Sequence, residues 1–98
     1  MKNDKRITED LSLKVAGFLS DAGCVYDLQF DNRGGARARY LFVRKPIACK
    51  IRVSGHPSNR MEKDIERSRV PVFDIGPRRM SFDDFSNAFQ RLLGETKP

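Results

Sequence analysis

Apolar residues recur near the start of the chain at Leu11, Val15, Phe18, Leu19 and Ala22, and this i, i+4, i+7, i+8, i+11 spacing draws one helical stripe. The pattern predicts a helix from about Thr8 to Ala22. Thr8 reads as its N-cap, Glu9 and Asp10 suit the positive end of the helix dipole, and Gly23 supplies the stop. Gly17 interrupts the stripe at a cost of about 1 kcal/mol relative to Ala, which suggests a place where a strand approaches closely. A second stripe, Phe85, Ala88, Phe89, Leu92 and Leu93, follows the cap Ser81, with Asp84 three residues on, Met80 as a staple onto Phe85, and Gly94 at the end. The three phenylalanines of this helix (Phe82, Phe85, Phe89) read as core, because helical apolar stripes face inward.

Between the helices the period changes to two. Tyr26, Leu28 and Phe30 alternate with Asp27, Gln29 and Asp31, and the glycines of Asn32-Arg33-Gly34-Gly35 suit a tight hairpin. A second strand runs from about Ala36 to Arg44, Lys45-Pro46 turns the chain, and Ile47 to Ser54 alternates cleanly. A two-residue turn at Lys45-Pro46 would set Phe42 opposite Cys49, Tyr40 opposite Ile51 and Ala38 opposite Val53. That register leaves Arg37, Arg39, Lys50 and Arg52 as a basic strip on the other face. Pro46 is an imperfect residue for the commonest tight turns, so a slightly longer loop is the alternative. Residues 56–69 are polar and crowded with charge, a short helix or a loop. Val70 to Ile75 reads as an edge strand, since Pro71 cannot donate to a central ladder. The expected fold is α+β: a helix, an antiparallel meander of three to four strands and a C-terminal helix, with both helices on one face of the sheet.

With 98 residues, 39% hydrophobic and 33% charged, the composition is that of one globular domain spanning 1–98. No apolar run suits a membrane span, and Met1 to Arg6 leads into the first helix without a signal-peptide core, so the expected compartment is the cytoplasm. Cys24 and Cys49 sit among apolar neighbours without a ligand-spaced partner and read as buried structural thiols. Neither a metal site nor a small-molecule cofactor is expected. The formal net charge of +6 changes the picture most, because such a surface attracts polyanions.

Three places invite a functional reading. The strip of Arg37, Arg39, Lys50 and Arg52 would track phosphates unless Asp27 and Asp31, alternating onto the same face, neutralise it. Arg78 and Arg79 precede the last helix, where free N–H groups accept anions, although Asp83 and Asp84 in the first turn oppose one. His56, the sole histidine, falls with Arg60 in a loop after a strand, a place where functional groups gather, but it lacks a partner at catalytic spacing. Glu62, Asp64 and Glu66 alternate with basic residues as a solvated charged segment rather than a metal cluster.

The order helix, three strands, helix resembles the double-stranded-RNA-binding domain, an order shared by HicA-type ribonuclease toxins. The chain departs from the first in opening its last helix with Ser81-Phe82-Asp83-Asp84, where that domain places lysines. It departs from the second in carrying Ser54-Gly55-His56 at a strand end in place of a Gly-Ser-His strand motif. The run from Lys50 to His56 also looks like a strand-plus-loop signature of small phage and mobile-element proteins. That resemblance implies an accessory protein of a class that includes anti-CRISPR inhibitors.

The leading expectation is a non-catalytic binding module engaging nucleic acid or a nucleoprotein complex through the four strip residues, with Arg78 and Arg79 secondary. An anti-CRISPR-type inhibitor docking on a host defence complex through Tyr26, Tyr40 or residues 56–69 is the alternative, with an acidic protein surface as partner. An endoribonuclease using His56 is the third.

Overall fold

The computed structural model describes residues 4–31, 38–55, 68–77 and 79–95. Its elements are α1 (Asp4–Asp21), β1 (Val25–Asp31), β2 (Ala38–Lys45), β3 (Cys49–Val53), β4 (Val72–Ile75) and α2 (Phe82–Glu95), an α+β chain. The sheet order is β1-β2-β3-β4. Antiparallel pairing joins β1 to β2 and β2 to β3, whereas β4 lies parallel to β3. The meander therefore stops at three strands. A parallel neighbour needs a connection of about a dozen residues or more, and residues 54–71 supply that length. As Pro71 suggests, β4 is an edge strand; the Pro71 carbonyl accepts the Lys50 N–H just before the strand begins.

Both helices cover one face. Val15 and Leu19 of α1 and Phe85 and Phe89 of α2 are fully buried against Leu41, Val43, Cys49, Ile51, Val53, Phe73 and Ile75. The phenylalanines pack edge to face: Phe18 meets Phe82, Phe85 and Phe89 at ring-centroid distances of 5.5–6.1 Å, and Phe73 meets Phe85 at 5.3 Å. Such pairs add to what their buried area contributes.

The caps explain where the helices end. Gly23, at φ 75°, closes α1 in a Schellman motif: Cys24 N–H reaches Leu19 C=O and Gly23 N–H reaches Ser20 C=O. Ser81 caps α2 by accepting the Asp84 N–H at 3.1 Å. Thr8, by contrast, is not a cap. The helix begins at Asp4, and Thr8 lies on its buried side, where its hydroxyl accepts the Gly55 N–H at 2.7 Å. Gly17 faces open space rather than a strand, with no atom within 4 Å of where a Cβ would stand. Gly94 falls inside the last turn, one residue before the helix ends at Glu95.

The register of β2 corrects the sequence reading by one residue. Val43, not Phe42, pairs with Cys49, and Leu41 pairs with Ile51. The connection between β2 and β3 holds three residues, Pro46, Ile47 and Ala48, instead of a two-residue turn. A shift of one position sends every β2 side chain to the opposite face. Leu41 and Val43 consequently enter the core, while Tyr40 and Phe42 move to the face that α1 and α2 do not cover.

Candidate functional site

Paired residues share a face, so the ladder defines what the open face presents. One row runs Gln29, Tyr40, Arg52, Asp74 across β1 to β4; the next runs Asp27, Phe42, Lys50, Val72. The rings of Tyr40 and Phe42, two residues apart on β2, stack with centroids 6.1 Å apart and planes 15° from parallel. Lys50 lies over both, its Nζ 5.1 Å from the Tyr40 centroid and 6.0 Å from that of Phe42. All three side chains are partly exposed. Beside them Arg44 Nη2 donates to Asp27 Oδ1 at 2.8 Å, a pair with both side chains at least half exposed that contributes little to stability.

The strip expected from the sequence is not assembled. Arg39, shifted by the register, pairs with Val53 on the helix-covered face. There its guanidinium donates to Ser12 Oγ at 3.1 Å and faces Glu9 at 3.6 Å, both on α1. Arg37 lies outside the described residues. Lys50 and Arg52 remain on the open face, but only Lys50 is accessible. Arg52, its side chain 6% exposed, donates to Asp74 Oδ1 at 3.2 Å. Asp27 answers Arg44 rather than the strip, and the side chain of Asp31 lies outside the described set.

Asp74 also takes Arg79, on its other oxygen. Arg79 thus turns back onto β4 instead of toward the N-terminus of α2. Its two terminal nitrogens are buried and make no hydrogen bond of good geometry beyond that ion contact. Among the described residues one carboxylate holds two guanidiniums, a buried triad of net charge +1. Arg78, His56 and Arg60 lie outside the described residues. Tyr26 packs against the core and Tyr40 stands on the open face, so these two do not share a surface.

Three side-chain groupings were missed in the sequence. The aromatic pair follows from the register. Asp74 was legible as the outward position between buried Phe73 and Ile75, but its partners depend on the parallel placement of β4. Thr8 and Ser12 extend the stripe of Val15 and Leu19 at i−7 and i−3 from Val15; being polar, Thr8 reads from sequence as a cap and Ser12 as a surface residue.

The thiols lie on the other side of the sheet. Burial pushes Cys49 up to about 12, with the neighbouring Cys24 thiol adding to it, and burial raises Cys24 as well. Both are unpaired. Among the described residues no three His, Cys, Asp or Glu side chains converge as a ligand set, and no helix is long and apolar enough to cross a membrane. Compared with protein-family models, curated proteins and solved structures, the chain matches none.

The described residues of the open face present two aromatic rings, the Lys50 ammonium and an Arg44 guanidinium paired with the Asp27 carboxylate. These groups attract anions and the faces of other π systems.

Proposed function

We propose that the protein is a non-catalytic module that binds nucleic acid through the open face of its sheet. The observation supporting this reading is the clustering of Lys50 and Arg44 with Tyr40 and Phe42 on the face that neither helix covers. The net charge of +6 supports it further, by drawing polyanions to the molecule before any specific contact forms. Arg52 and Arg79 serve the fold in this reading, since Asp74 already holds them. Arg39 serves it too, as the anchor of α1 to β2. The contacts fall instead to Lys50 and to Arg44, whose pairing with Asp27 is solvent-exposed.

Equilibrium binding of labelled oligonucleotides across a salt series tests the proposal. Two phosphates neutralised on a single strand give a log–log salt slope of roughly −1.4, and replacing Lys50 by Gln removes about half of it. Affinity indifferent to salt, or no binding at low salt, would overturn the reading. A complex formed only with a protein partner and untouched by nuclease would point to the inhibitor class instead.

A further inference from the structure

Resting on the nucleic-acid reading, we infer that the face takes single strands in preference to duplex, with one base stacked on Tyr40 and the next on Phe42.

The argument starts from the rings. Two aromatic side chains at i and i+2 on a central strand present near-parallel surfaces 15° apart in plane and 6.1 Å apart in centroid. They leave the sheet on the side the helices do not cover. Every base has a π-face, so such a platform accepts single strands with little regard to sequence. A duplex offers it nothing comparable, because paired bases are stacked on each other and show only their edges in the grooves.

Charge tells the same way. A duplex binder tracks many phosphates, yet the described open face has lost Arg39 to the helix side and Arg52 to Asp74. Lys50 and the Asp27-paired Arg44 remain among the described residues, few cations beside two partly exposed rings. That ratio suits binding in which stacking supplies much of the affinity and charge a modest share.

Lys50 has a particular part. Its ammonium lies over both rings, occupying the surface a base would take. A cation–π contact of an exposed pair is worth about two- to fivefold in an equilibrium constant, whereas a stacked base is worth about 5- to 150-fold. An arriving base therefore displaces the ammonium, which becomes free for the adjoining phosphate. Lys50 holds the platform in the free protein and reads the backbone in the complex.

The test compares four probes of one length: single-stranded DNA, single-stranded RNA, duplex DNA, and an abasic strand that keeps the phosphates and lacks the bases. The wild-type protein should bind both single strands more tightly than the duplex, and the abasic strand most weakly. Tyr40→Ala and Phe42→Ala should each lower single-strand affinity about 5- to 150-fold, while Tyr40→Phe, which keeps the ring, should retain it. Circular dichroism of each variant separates loss of binding from loss of fold, and Tyr40→Phe against the abasic strand supplies the comparison if an alanine variant does not fold. Duplex bound as well as single strand, or abasic strand bound as well as normal strand, overturns the stacking inference while leaving the nucleic-acid reading standing. Binding to no probe at low salt overturns both.

Discussion

Replacing Asp74 by Asn removes one negative charge from between two guanidiniums and changes almost nothing else in shape. In the native protein Asp74 is 11% exposed, Arg52 6% and Arg79 11%, so neither arginine can turn to water for compensation without leaving its place. Breaking a buried pair by removing one partner costs roughly 3–5 kcal/mol, because the surviving charge is left uncompensated. Here two charges of the same sign would survive side by side. A chain of 98 residues has a total stability of about 5–15 kcal/mol, so Asp74→Asn should consume a large part of it. At about 4–8 °C per kcal/mol, the midpoint of thermal unfolding should fall by roughly 12–40 °C, followed by far-ultraviolet circular dichroism. The same physics makes a second prediction that guards against a trivial outcome. Replacing Arg52, Asp74 and Arg79 together by Met, Leu and Met removes every charge and should leave the protein more stable than the single Asp74→Asn variant. An Asp74→Asn midpoint within a few degrees of wild type, or a triple variant worse than the single one, would refute the reasoning.

Two glycines should respond in opposite senses to alanine. Gly17→Ala places a methyl in open space inside a helix and should stabilise by about 1 kcal/mol in chemical denaturation. Gly76→Ala drives its methyl into the Ser54 carbonyl oxygen, well inside van der Waals contact, where the ends of β3 and β4 meet, so the backbone must shift and the loss should be at least about 1–3 kcal/mol. The buried Cys49 thiol gives a pH dependence. Because folding raises its pKa from 9.0 to about 12, its contribution to stability is complete below about pH 9 and is lost as pH climbs toward 12. Stability should fall over that window more steeply in wild type than in Cys49→Ala, and near neutral pH a thiol reagent should modify Cys24 well before Cys49.

The helices were legible because each carries one stripe with a stop or a cap, and α2 in particular follows from Ser81 and its phenylalanines. The strands were legible as elements. Their register was not, because β2 is apolar on both faces: Tyr40 and Phe42 alternate with Leu41 and Val43, so the period-two pattern fits either orientation. The length of the connection decides between them, and Pro46 displaced the two-residue turn in favour of three residues. That single slip separates Arg39 from Arg52 and turns an expected cationic strip into an aromatic platform. Nor could local pattern show that Asp74 would answer Arg52, since the pair depends on β4 running parallel to β3 after a long connection. Sequence reasoning set Asp27 and Asp31 against the strip; of these, Asp27 went to Arg44. Net charge carries the expectation of a polyanionic partner, but only the register says which side chains the open face presents.

Amide chemical-shift mapping of the isotope-labelled protein during titration with a short single-stranded oligonucleotide tests the central claim most directly. The account predicts the largest changes at Tyr40, Phe42, Lys50 and their neighbours Gln29 and Arg44, with α1 and α2 little affected. Changes concentrated on the exposed sides of α1 and α2, with the open face silent, would contradict it.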